Sequence, residues 1–234
     1  MGKMGHGYGS EFHLLRFLGY HRNRLNQTIE KECGGRVVDW LDFGFCKETD
    51  LGHADSEWKG MDFLDPNSGV KSAWMTYWPQ SGNVPNWDAV GVLDLSSNPE
   101  FLLIEAKAHV EEIESSCGAR ENGGLSMIER ALSATISANE FNRQSENWLR
   151  PYYQYANRVA QLDFLLKHGV MARLIFVYFC GDKWPRDGRR PNCPQNESEW
   201  DLNLQPMYKH LGLSGQSSLE GRIHSLFLDV RGNS

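Results

Sequence analysis

The chain has 234 residues, 40% hydrophobic and 23% charged, with a formal net charge of −6. That is an ordinary globular composition with enough chain to bury a sizeable core in one domain, and its longest apolar run, around Leu174–Cys180, falls far short of the roughly 20 residues a membrane span needs. The acidic balance repels nucleic acid in bulk, so a nucleic-acid partner would require a local basic patch, either Arg22 and Arg24 or the loop group Lys183, Arg186, Arg189 and Arg190; scattered solvated charge is the alternative reading of both sets.

The first ten residues, MGKMGHGYGS, are Gly-rich and lack the apolar core of a signal peptide, which predicts a flexible arm over residues 1–9. From Ser10 to Cys33, Leu14, Leu18, His21, Leu25 and Ile29 recur near helical spacing, predicting one helix with Ser10 as N-cap and Gly34-Gly35 as its stop. Arg36–Phe43 reads as a strand, and residues 44–85, rich in Gly, Asp, Trp and Pro, as a long elaboration with short elements. Ala89–Leu95 and Phe101–Lys107 read as two strands of a hairpin joined by the polar turn Ser96–Pro99. A loop over 115–124 precedes an amphipathic helix at Leu125–Asn139. A second helix follows at Tyr152–His168, with Pro151 near its start and Gly169 after its end. Ala172–Phe179 is a buried strand, 183–206 a Pro-rich loop, and Ile223–Val230 a final strand. This order predicts an α/β fold with a mixed central β-sheet flanked by α-helices, a single domain over 1–234.

Five cysteines at long spacings, with no C-x-x-C pair, predict free thiols and a reducing, cytoplasmic setting. A zinc site built from Cys180, Cys193 and a histidine matches no common ligand spacing.

The chemistry-bearing stretch is FLLIEAKAH at 101–109. On a strand, Glu105 and Lys107 share a face with Ala106 on the other, and a carboxylate and an ammonium at the end of a buried strand are costly unless paired or bound. The hairpin brings Asp88, at the start of the preceding apolar run, beside Glu105. Two close carboxylates repel, so one takes up a proton unless a cation sits between them. A hard divalent ion such as Mg²⁺ suits oxygen ligands, and with a lysine beside it such a site has the parts for hydrolysing a phosphate ester. A salt bridge at the sheet edge is the alternative.

Asp88, then AVGVLDLSSNPEFLLI, then Glu105-Ala-Lys107 resembles the PD-(D/E)XK nuclease superfamily, and the order helix, strands, helix, strand from about Ser10 to Phe179 resembles its restriction-endonuclease-like core. The resemblance implies a metal-dependent nuclease, most simply a deoxyribonuclease, with Asp88 and Glu105 as metal ligands and Lys107 assisting catalysis. Trp87 stands where many members carry Pro. Members often add an acidic residue from the first helix, for which Glu11, Glu30 and Glu32 compete; Glu30 is the choice here. Recombination-type members place a glutamine on the helix after the Glu-x-Lys strand, and Gln154 in YYQYANR looks like that residue. Gln154, Asn157 and Gln161 share one helical face, which would otherwise be a polar stripe facing solvent. His109 is expected near the same face, supporting the catalytic residues from behind. Trp58, Trp74, Trp78 and Trp87 would stack on bases or, the favoured reading, pack a core.

The expected cofactor is Mg²⁺, with Mn²⁺ able to substitute, and the expected partner is DNA, with RNA as the alternative; no membrane is involved, and a homodimer is carried over by analogy alone. The competing reading is a nuclease-fold protein that binds nucleic acid or a protein without cutting. A metal-dependent hydrolase of a small phosphate ester is a third.

Overall fold

The structure, a computed structural model, describes residues 8–41, 57–82, 84–96, 98–183, 191–213, 217 and 219–231. A five-stranded mixed sheet forms its centre, in the order β1 (Arg36–Leu41), β4 (Ala89–Leu95), β5 (Asn98–Lys107), β6 (Ala172–Cys180), β7 (Ile223–Asp229). β1, β4 and β5 are antiparallel, while β5, β6 and β7 run parallel. β2 (Trp58–Lys59) and β3 (Asn86–Trp87) form a separate two-stranded ladder.

The alternation of β5 assigns its neighbours. Leu102, Ile104, Ala106 and Ala108 point to a layer made with α1 (Ser10–Gly19) and α2 (Arg22–Cys33), which contribute Leu14, Phe17, Leu18, Leu25 and Ile29. Leu103 points to the opposite layer, which holds α3 (Gly69–Tyr77), α4 (Leu125–Ala138), α5 (Ser145–Leu149), α6 (Tyr153–Lys167) and α7 (Glu197–Leu211). β6 is buried on both faces, with Leu174, Phe176 and Tyr178 toward one layer and Ile175, Val177 and Phe179 toward the other. That is why its sequence is an unbroken apolar run rather than an alternation. Among the described residues no helix is long and apolar enough to cross a membrane.

Several expectations need correction. The single helix over Ser10–Cys33 is two, broken at exposed Tyr20 and at His21, whose backbone (φ −111°, ψ 26°) leaves the helical region. Arg22 donates through Nε to the Leu18 carbonyl (2.6 Å) across the break, and Leu25, Ile29 and Cys33 still reach the sheet. The hairpin turn is tighter than Ser96–Pro99: Asn98 pairs with Leu95 and Pro99 with Asp94, so β5 begins three residues earlier than Phe101. Within the elaboration over 44–85, Ser68 caps α3 by accepting from the Lys71 N–H, and residues 44–56 lie outside the described set. The Pro-rich loop over 183–206 contains the first turns of α7. Asn196 accepts from the Glu199 N–H (3.0 Å), and Glu199 returns to the Gln195 N–H (2.8 Å), a reciprocal cap that starts the helix despite Pro206 inside it.

Trp74, Trp78 and Trp87 are fully buried core residues, with Trp74 and Trp78 stacked at 5.8 Å, which leaves packing as their role. Residues 1–7 of the expected arm, and Arg186, Arg189 and Arg190 of the basic loop, lie outside the described residues.

Candidate active site

Glu105 and Lys107 project from the C-terminal end of β5 toward α6, as their alternation requires. Glu105 is 1% exposed and Lys107 8%. Lys107 Nζ donates to Glu105 Oε1 and to Gln154 Oε1 (3.1 Å), while Gln154 Nε2 donates to Glu105 Oε1 (2.7 Å). Gln154 is set in place by its own backbone N–H, which donates to the Ser115 hydroxyl (2.7 Å) and ties the start of α6 to the 115–124 loop.

Asp88 sits between β3 and β4, where its N–H donates to the Ile104 carbonyl (3.1 Å) and its Oδ2 accepts from the Ala106 N–H (2.7 Å). The hairpin therefore clamps Asp88 to the residue between Glu105 and Lys107. Burial pushes the Asp88 carboxyl up to about 7, with the Glu105 charge adding to the effect; Lys107, the Ala106 N–H and Arg158 pull the other way without prevailing. Burial also opposes ionisation of Glu105, but the charges and hydrogen bonds of Arg158 and Lys107 outweigh it and hold that carboxyl below its ordinary value. The two acids are thus pushed apart: one is ionised and one is poised near neutrality.

Arg158 is the residue that sequence reasoning missed. It is buried, donates through Nε to Glu105 Oε2 (2.7 Å) and through Nη1 to Asn157 Oδ1 (2.8 Å), and reaches the Asn86 carbonyl. Its guanidinium lies 5.0 Å from the Trp87 ring centre, a cation–π contact. The signal was present: Arg158 follows Gln154 by four, one helical turn along the same face. Trp87, the departure noted before Asp88, is the platform for this arginine.

Asn157 and Gln161 do not form a solvent-facing stripe. Both are buried, and Gln161 Nε2 donates to the Asn157 carbonyl (3.3 Å). Glu30 is not brought to the cluster: it lies on α2, in the layer on the far side of the sheet, and its Oε1 accepts from the Val37 N–H (2.9 Å). Glu32 pairs with His224 (3.2 Å), and Glu11 is exposed on α1. None of the three can reach Glu105 through the packed sheet. Arg22 and Arg24 belong to α2 as well, so that basic pair does not flank the cluster. His109 pairs with Glu112 (2.7 Å) and Asp182 (3.6 Å).

Asp88, Gln154 and Arg158 form part of the wall of a cleft of about 700 Å³, bounded by the 78–86 segment, the 115–124 loop and the start of α6. Gly124 there lies against Pro79, where a Cβ would fall 2.4 Å from the ring, so the loop's close approach to the 78–86 segment requires glycine.

No family model matches the chain, and neither a curated protein nor a solved structure matches it.

Proposed function

We propose that the protein is a metal-dependent nuclease that hydrolyses phosphodiester bonds, DNA being the expected substrate, and that its core is of the restriction-endonuclease-like kind. The observation that carries this reading is the convergence of Asp88, Glu105, Lys107 and Gln154 at one end of a hairpin, beside a cleft. Two carboxylates, a lysine and an amide are the groups that phosphodiester hydrolysis uses, and the separation of the two acids' pKa values is typical of reactive sites.

The donor set fits a hard divalent cation. Asp88 resists ionisation because it is buried and faces the Glu105 charge, and an oxygen-binding cation would offset both effects. Asp88 and Glu105 would hold Mg²⁺ or Mn²⁺, which when bound polarises the phosphate and lowers the pKa of a ligated water. Lys107 orients the attacking water and stabilises developing negative charge. Gln154 fixes both Glu105 and Lys107 in that geometry. A cleft of about 700 Å³ lies within the range of small-ligand sites. It takes a short stretch of a single strand or a strand end rather than the width of a duplex.

One observation favours a second reading, in which the protein binds nucleic acid or a protein without cutting. Arg158 and Lys107 already neutralise Glu105, so Asp88, Glu105, Lys107 and Arg158 balance in charge when both acids are ionised. Incubation of the pure protein with single-stranded and duplex DNA, in linear and circular forms and with Mg²⁺, Mn²⁺ or chelator, separates the two. Chelator-sensitive cleavage supports the nuclease. Retained binding without cleavage in any of these conditions supports the second reading.

A further inference from the structure

A second group of metal-binding side chains lies outside the cluster around Glu105. His109, Asp182 and Cys193 each present one ligand atom, and these atoms all lie within 4.8 Å of one another. His109 Nε2 is 3.6 Å from Asp182 Oδ2. That is close to the roughly 3.3 Å edge of a tetrahedron built from bonds of about 2.0 Å.

Two independent features make this a prepared site. The first is an outer hydrogen-bonding partner for each of two ligands. His109 Nδ1 pairs with Glu112 Oε1 (2.7 Å), which fixes the ring and turns Nε2 toward Asp182. Glu112 is itself held by the Ala108 N–H (3.0 Å). A carboxylate on the far nitrogen is the usual companion of a metal-bound histidine. Asp182 is fixed in turn by the Gly9 N–H (3.0 Å), the Lys183 N–H (2.7 Å) and His13 Nε2 (2.8 Å).

The second feature is how Cys193 is delivered. The residue before it accepts through the Asn192 carbonyl from the Val110 N–H (2.8 Å), next to His109. The residue after it accepts through the Pro194 carbonyl from the Gly181 N–H (2.9 Å), next to Asp182. The backbone thus pins Cys193 between the two other ligands. Cys180, the other cysteine considered for a zinc site, is absent from the group; its thiol donates to the Tyr178 carbonyl.

We propose that His109 Nε2, an Asp182 carboxylate oxygen and Cys193 Sγ bind a borderline divalent transition metal, Zn²⁺ being the chemical type. One imidazole nitrogen, one carboxylate and one thiolate suit that class rather than Mg²⁺, and three protein ligands leave one position for water. The Cys193 thiol proton and the proton on His109 Nε2 are released to solvent when the sulfur and the nitrogen ligate. The metal would join the end of β5, the end of β6 and the segment leading into α7.

The test uses the full-length protein and Co²⁺ as a spectroscopic probe. Added Co²⁺ should produce a thiolate-to-cobalt charge-transfer band and the intense visible bands of four-coordinate cobalt, both displaced by Zn²⁺. Cys193→Ser should abolish the charge-transfer band. Glu112→Gln should weaken Co²⁺ binding by about 10-fold to 100-fold with the band retained. Asp88→Asn should leave the band unchanged, which separates this site from the proposed Mg²⁺ site. Should Cys193→Ser fail to fold, Zn²⁺ should still protect Cys193 from alkylation in the wild type while Cys117 labels at an unchanged rate. No charge-transfer band in the wild type, a band that survives Cys193→Ser, or Cys193 labelling unaffected by Zn²⁺ would overturn the proposal and leave an ion-paired cluster.

Discussion

Arg158 meets Glu105 inside the protein, Nε to Oε2 at 2.7 Å, with both side chains almost wholly withdrawn from water. A guanidinium there acts as a permanent counter-charge. It allows a carboxylate with 1% exposure to stay ionised without a metal. Removing one partner of such a pair strands the other, which typically costs about 3–5 kcal/mol. Arg158→Ala should therefore lower stability by about 3 kcal/mol, Lys107 covering part of the loss, as read from urea denaturation. An unchanged midpoint would mean that the pair contributes nothing. In the nuclease reading Arg158 competes with metal for Glu105, so Arg158→Gln should tighten Mg²⁺ binding measured by calorimetry.

In the same nuclease reading, Lys107→Ala should reduce cleavage by about 100-fold or more while largely sparing metal binding, because the ammonium is not a ligand. Asp88→Asn should lose both. Cleavage at the wild-type rate in Lys107→Ala would refute the assigned roles.

Gln154→Ala removes the amide that bridges Lys107 and Glu105. If the protein is the proposed nuclease, the expected loss is about 10-fold in cleavage rate with little change in substrate affinity. An equal loss in affinity would instead place Gln154 in substrate binding.

The pH dependence has a definite sign. Asp88 has an ordinary pKa of 3.8 and a folded value of about 7. Between these values the folded state keeps a proton that the unfolded state has released, so this group's contribution to stability falls as pH rises through that window. Asp88→Asn should flatten the slope, raising stability above pH 7 by on the order of 1–2 kcal/mol relative to wild type. In the nuclease reading Mg²⁺ competes with the same proton, so its binding should weaken as pH drops below about 7. Denaturation curves and Mg²⁺ titrations across that range test both statements.

Away from the site, Asp163 on α6 accepts from Thr135 of α4 (3.0 Å), from Asn139 just past the end of α4 (3.1 Å) and from Lys167 (2.5 Å). Asp163→Ala removes the acceptor of three donors, two of them buried, and should cost about 2–4 kcal/mol by thermal or chemical denaturation. Asp163→Asn should recover part of it.

The sequence made the strand-borne part of the candidate site legible because period-two alternation places Glu105 and Lys107 on one face whatever surrounds them. Gln154 was legible through helical phase. Arg158 was not singled out, because a basic residue within a helix reads as solvated until its partner is seen. Glu30 was misassigned for a different reason: helical phase says which face is apolar but not which side of the sheet the helix covers. The stripe Trp200, Leu204, Met207 and Leu211 was written in the chain, yet Pro191, Pro194 and Pro206 obscured it. The break at Tyr20 and His21 carries no Gly-Pro punctuation beyond Gly19, so nothing in the residue types marked it.

The two sides of β5 are chemically opposite at its far end, aliphatic at Ile104 and Ala106 and ionic at Glu105 and Lys107. Sliding the strand by one residue would drive both charges into the hydrocarbon beneath α1 and α2, away from Arg158 and Gln154. An uncompensated buried charge is penalised by several kcal/mol. The ionic end therefore works as a ruler for the hairpin, setting its alignment from the end opposite the Leu95–Asn98 turn. A residue inserted at that turn should accordingly bulge out locally, leaving Val90 opposite Leu103 and Ala89 opposite Ile104 as before.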